Sequence, residues 1–290
     1  MKQLENNNIN LKSKSLIFEI ISVLRNKLFL GSCFIEVILT TLYSITTIIK
    51  YKEYTHQIIE KINNGTNWQN PMLNIESIFN FWIGSPNTNA FKTIFFYFFP
   101  LISGTIYSWI YIYEKKSGNI PNIKKQQFRY YVNKYIVNFF SAGLVIFIPI
   151  MTSIFIMLPF IPITTPDSAY DIYFDVFSDD FMANIFYTYP ILYLLFDILL
   201  IVIYAGFVGG VCFSLSVFFE NRIAAVVIPY LSLLFIHYKN NIETNISPIS
   251  FLSSTSYLMS NIKTYIIEIL ILLSVSIVIL LLCNNRISEE

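Results

Sequence analysis

The stretch Pro190-Ile-Leu-Tyr-Leu-Leu-Phe-Asp-Ile-Leu-Leu-Ile-Val-Ile-Tyr-Ala-Gly-Phe-Val-Gly-Gly-Val-Cys-Phe-Ser-Leu-Ser-Val-Phe-Phe219 decides the class of this chain. Asp197 is its only charge, and the run exceeds the about 20 apolar residues that a helix needs to cross a hydrocarbon core about 30 Å thick. Working outward, comparable runs occur at Leu28 to Ile49, Phe91 to Tyr113, Tyr135 to Ile161, Ile223 to Tyr238 and Thr264 to Cys283. The fifth run in chain order is short and holds Pro229, so it is open to tilting or to a partly re-entrant path. Composition agrees: 55% of the residues are hydrophobic, 17% aromatic and only 13% charged, where a soluble surface needs roughly a quarter charged. The expected fold is therefore all-α and integral to a membrane, with six transmembrane helices preceded by an amphipathic interfacial helix. Residues 1–27 form the tail and interfacial helix, 28–283 the membrane domain, and 284–290 a second tail, with external loops at about 51–90, 162–189 and 239–263.

Orientation follows from Lys and Arg in short loops. Lys2, Lys12, Lys14, Arg25 and Lys27 precede the first span, and Lys115, Lys116, Lys124, Lys125, Arg129 and Lys134 lie between spans two and three. The connection after span three carries Asp167, Asp171, Asp175, Asp179 and Asp180 with no Lys or Arg. Both termini and the basic loop are thus expected in the cytoplasm and the acidic loop outside, although Lys50, Lys52, Lys61 and Lys92 fall near the outer ends of the first two spans. The first span serves as targeting signal, since no short apolar region ends in a cleavage site. Abundant Asn, Ile, Lys, Tyr and Phe point to the cell membrane of a low-GC Gram-positive bacterium.

Before span one, Ile17, Ile20, Ile21, Leu24 and Leu28 recur at helical spacing, with Glu19, Arg25 and Lys27 largely off the stripe. This pattern predicts a helix lying in the interface, its basic residues toward anionic headgroups; a cytosolic extension of span one is the alternative. Between Tyr51 and Ala90, turn signals at Asn63-Asn64-Gly65, Asn70-Pro71 and Gly84-Ser85-Pro86 alternate with Trp68, Phe79, Phe81 and Trp82, which predicts an ordered external cap.

The chain has no Gly-x-x-x-x-Gly-Lys-Ser/Thr loop to cradle a nucleotide phosphate, no His-Glu-x-x-His and no Gly-x-Ser-x-Gly. Cys33, Cys212 and Cys283 all sit in apolar runs without metal spacing, so neither disulfide nor metal is assigned. Nucleic acid is not an expected partner. Glu36, Asp197 and Glu268 fall in or near spans, where a charge costs roughly 2.5 to 3.5 kcal/mol. They read either as a proton relay or as packing residues that hydrogen-bond within the bundle, Asp197 and Glu268 near the outer interface and Glu36 deepest. Gly206, Gly209 and Gly210 form a small-residue patch that permits close helix approach, inside one bundle or between two protomers. Pro100, Pro149 and Pro159 fall within the predicted spans and are expected to kink them.

The segment after span two reads Tyr113-Glu114-Lys115-Lys116-Ser117-Gly118-Asn119-Ile120-Pro121. Gly118 suits a helix end and Pro121 the start of the next helix, expected to run to about Tyr135. Here the sequence resembles the permease subunits of the ABC-2 class of ATP-binding-cassette transporters, the type V exporter fold. In that family an acidic-basic-x-x-Gly motif, commonly Glu-Arg-Glu-x-Gly-Thr, closes the second span. Glu114 and Gly118 fit it, Lys115 stands for the Arg, Lys116 replaces a frequent acid and Asn119 replaces the Thr. The resemblance extends over the chain in its interfacial helix, large first external loop, basic second loop, six spans and missing ATPase.

The resemblance implies a permease without catalytic residues. It implies a dimer with an identical or sister subunit, standing on two cytosolic ABC ATPase subunits that bind the ATP and Mg. It makes Glu114, Lys115, Ser117 and Gly118 the ATPase-coupling loop, and a hydrophobic or amphipathic substrate, such as a bacteriocin, another antimicrobial peptide or a lipid-like compound, the exported cargo. Competing readings are a proton-coupled secondary carrier using the intramembrane carboxylates and a membrane sensor subunit.

Overall fold

The computed structural model describes residues 16–65, 77–85, 89–117, 124–168, 176, 182–219, 221–239, 247, 249, 252 and 262–286. Among the described residues the chain is helical and forms no strand. In order these helices are α1 (16–24), α2 (Lys27–Asn63), α3 (Ile78–Phe81), α4 (Ala90–Lys116), α5 (Lys124–Met157), α6 (Ala183–Thr188), α7 (Pro190–Phe219), α8 (Arg222–Lys239) and α9 (Ile262–Arg286). Six of them, α2, α4, α5, α7, α8 and α9, are long and apolar enough to cross a membrane.

The first span does not stop at Ile49 but continues as helix to Asn63, 37 residues in all. At 1.5 Å per residue this is about 55 Å, well beyond the hydrocarbon thickness. No Gly or Pro interrupts Tyr51 to Ile62, and Glu53, Gln57, Glu60 and Lys61 favour helix, so the chain turns only at Asn64 and Gly65, the latter at φ +68°. The lysines at 50, 52 and 61 therefore lie on the projecting turns, where Lys52 Nζ sits 5.1 Å from the Phe160 ring.

The helix expected to begin at Pro121 is continuous with span three, forming one helix from Lys124 to Met157. Pro159 falls beyond its end, while Pro100, Pro149 and Pro229 lie inside α4, α5 and α8. The fifth span is helical throughout its 18 residues, about 27 Å.

Helix α7 sits at the centre, packed against α4, α5, α8 and α9, and α2 closes the other side against α4 and α5. The three glycines make this density possible. A methyl at Gly206 would lie 2.7 Å from the Phe139 ring, one at Gly209 2.6 Å from Ala142 Cβ, and one at Gly210 2.6 Å from the Tyr135 ring. The small-residue patch therefore faces into the bundle, against α5 and α4. At one level Ser44 and Ser153 hydroxyls meet at 2.9 Å, tying α2 to α5.

One end of the bundle is plugged by part of the long first connection. Ser77 caps α3 through Phe79 N–H, and Trp82 and Ile83 then turn inward and are buried. The Tyr43 hydroxyl donates to Phe81 O at 2.8 Å and reaches Trp82 O at 3.3 Å, and Asn89 reaches Thr46 at 2.9 Å. The Trp68 and Asn70-Pro71 parts of the expected cap, and Asp171, Asp175, Asp179 and Asp180 of the acidic loop, lie outside the described residues.

Candidate functional site

At the opposite end from Trp82, α4 stops where its last carbonyls need partners. Ser117 N–H bonds Tyr113 O at 3.1 Å and the Ser117 hydroxyl donates to Glu114 O at 2.8 Å, so Ser117 closes the helix while Lys115 and Lys116 complement its negative end. Gly118, Asn119 and Pro121 lie outside the described residues.

The Glu114 side chain turns back onto α5. Tyr130 Oη donates to Glu114 Oε2 at 2.7 Å, and Lys134 Nζ stands 3.3 Å from the same carboxylate. Tyr130 and Lys134 are four apart on α5, one turn, which presents both to one acceptor. Lys134 also lies 3.5 Å from Glu19 Oε2 of α1. One buried lysine on α5 is thus shared by acids from α1 and α4, joining the two consecutive helices α4 and α5 to the distant α1. The Lys134 ammonium further lies 5.3 Å from the Tyr130 ring centroid.

Helix α1 divides the apolar stripe between two sides, Ile20 and Leu24 packing on the bundle and Ile17 and Ile21 facing away from it. Val23 is buried and Leu16, Ile20 and Leu24 pack on the core, while Ile17, Phe18 and Ile21 project outward. The Lys134 contact fixes this rotation, because it requires Glu19 to point at the bundle.

The intramembrane acids do not converge on one point. Glu36 is wholly enclosed on α2, and neither carboxylate oxygen has a hydrogen-bond partner. Asp197 of α7 lies within electrostatic range of Lys92 of α4 without forming an ion pair with it, and Lys92 is itself buried and donates to Ser85 O of the plug. Glu268 of α9 makes no hydrogen bond within the bundle of the kind the packing reading of this residue requires; its oxygens are enclosed without a partner, close to Tyr204 and Tyr265. The Tyr265 hydroxyl is instead used on Leu200 O at 2.7 Å. Asp197, Glu268, Lys92 and the two tyrosines form a polar region among α4, α7 and α9, and Glu36 stands apart between α2 and its neighbours.

Sequence reasoning missed the roles of Glu19, Tyr130 and Lys134 around Glu114, and of Lys92 as a buried donor to Ser85 O. The one-turn spacing of Tyr130 and Lys134 was a usable signal; the contact of Lys92 with Ser85 had none. Among the described residues no group of three His, Cys, Asp or Glu side chains could hold a metal ion. No family model, curated protein or solved structure matches the chain.

Proposed function

We propose that this chain is the membrane-spanning permease subunit of an ATP-binding-cassette exporter of the ABC-2 class. It works as a dimer with an identical or sister subunit above two separate ATPase subunits, and its cargo is hydrophobic or amphipathic. The observation that carries the reading is the sharing of Lys134 between Glu19 and Glu114. A partner pressing on the end of α4 would move α1, α4 and α5 together, because the three are tied at one lysine. The outward Ile17, Phe18 and Ile21 support an interfacial position for α1, with its ionic contact turned inward. In this reading both chain termini and Glu114 face the cytoplasm of a bacterial cell, where ATP is available.

Coupling then consists of a shift in population between two arrangements of the bundle, driven by the ATPase and transmitted through the α4–α5 connection. The test is co-purification with a separate ATPase, followed by ATP hydrolysis in complexes carrying Glu114→Ala or Gly118→Ala. The reading expects both rates to fall; normal rates in both variants would sink it. A second reading, a proton-coupled carrier, draws on the unpartnered carboxylates of Glu36 and Glu268. It requires transport to stop in Glu36→Gln and no ATPase to be bound.

A further inference from the structure

On the same half of the molecule as Glu114, α5 and α9 diverge. Helix α9 packs chiefly on α7, and the Tyr135 ring is drawn toward α7 over Gly210, where a Cβ would lie 2.6 Å away. This leaves a crevice of about 180 Å³ between the two helices. Tyr135, Ser276 and Leu280 form its floor, with Ser276 and Leu280 buried. Val132, Ile277 and Leu281 form its rim and are exposed on the membrane-facing surface. An enclosed apolar cavity of about 150 Å³ admits a benzene-sized guest and excludes water, so this larger, lipid-side opening favours hydrocarbon. Arg129 is exposed one turn beyond Val132, toward the end of the bundle where α2 begins and α9 ends. Three residues before Val132 on α5, Arg129 shares the face that carries the rim of the crevice, and arginine matches phosphate oxygens in a bidentate fashion.

We propose that the α5–α9 crevice binds one acyl chain of an anionic phospholipid from the adjoining leaflet, with Arg129 engaging its phosphate. The inference rests on the membrane-spanning bundle alone and is independent of the exporter reading. Because a lipid tail is already in hydrocarbon, retention through mild detergent rests on the fit of the chain to the crevice and on the charge-assisted guanidinium–phosphate contact.

The test uses the full chain reconstituted in nanodiscs of equal phosphatidylglycerol and phosphatidylcholine, released into mild detergent and weighed by native mass spectrometry. The wild type is expected to keep a phospholipid adduct enriched in phosphatidylglycerol. Ser276→Phe fills the floor, and Leu281→Trp fills the slot from a position that is half open to the membrane and tolerant of bulk. Each should lower the adduct at least about tenfold. Arg129→Gln should keep an adduct but lose the phosphatidylglycerol preference. No adduct on the wild type, an undiminished adduct on a folded Leu281→Trp chain, or a dimer that these variants dissociate with no lipid involved would each overturn the proposal.

Discussion

Lys134 Nζ stands 3.3 Å from the Glu114 carboxylate and 3.5 Å from that of Glu19, so one cation holds the end of α4 and the N-terminal helix α1 to α5. Lys134 side-chain exposure is 11%, against 27% for Glu114 and 39% for Glu19, so the cation is the buried member and the acids reach in from the rim. Lys134→Ala should therefore cost more than Glu19→Ala. The part-solvated geometry sets the expected loss at about 1 kcal/mol for the lysine and less for Glu19. Thermal unfolding in detergent measures both, and equal losses would show that Lys134 is not shared.

Under the exporter reading, reversing Glu114→Lys, Lys134→Glu and Glu19→Lys together should recover part of the ATPase activity that Glu114→Lys alone removes in the proposed complex. Both attractions at position 134 survive the triple reversal, although the Tyr130 hydrogen bond does not. Absence of any recovery would assign the effect to Tyr130 rather than to the ion pairs.

Gly209 packs within 2.6 Å of Ala142 Cβ and 3.3 Å of Ser103 O, measured from the position a methyl would take. Gly209→Ala should destabilise the bundle by about 1–3 kcal/mol through overpacking, because a backbone carbonyl cannot move aside as a side chain can. A melting temperature equal to that of the wild type would contradict the packing.

Tyr43→Phe should loosen the plug. Its hydroxyl donates to Phe81 O, and removing it leaves that carbonyl short of a donor at a cost of about 1 kcal/mol, while Trp82 O keeps the Ser85 N–H. Faster hydrogen exchange at residues 78–83, with exchange in α7 unchanged, is the expected signature.

Ser44 and Ser153 offer a cleaner measure of the α2–α5 contact. Their mutual hydrogen bond at 2.9 Å predicts a coupling energy of about 0.6 kcal/mol in a double-mutant cycle of Ser→Ala changes. Strict additivity would mean that backbone acceptors on their own helices satisfy both hydroxyls.

The six spans were legible because hydrocarbon thickness imposes a length, and Pro190 to Phe219 satisfies it whatever surrounds it. The end of the first span was not legible from hydropathy, since Tyr51 to Ile62 is polar enough to leave lipid yet still favours helix, and hydropathy reports the solvent rather than the backbone. Glu114 stood out through the motif resemblance and the turn that follows it. Its partners Tyr130 and Lys134 did not, because they meet it only once α5 folds back on α4, and Glu19 joins only through Lys134.

By itself the sequence determined six runs long and apolar enough to cross a membrane and the turn at Asn63-Asn64-Gly65, all set by local hydropathy and backbone propensity. Tertiary structure alone decided that Gly206, Gly209 and Gly210 face α5 and α4, that Lys92 is buried against Ser85 O, and that α1 turns Glu19 toward Lys134. Each depends on helix rotation and register, which many weak contacts between distant segments fix together.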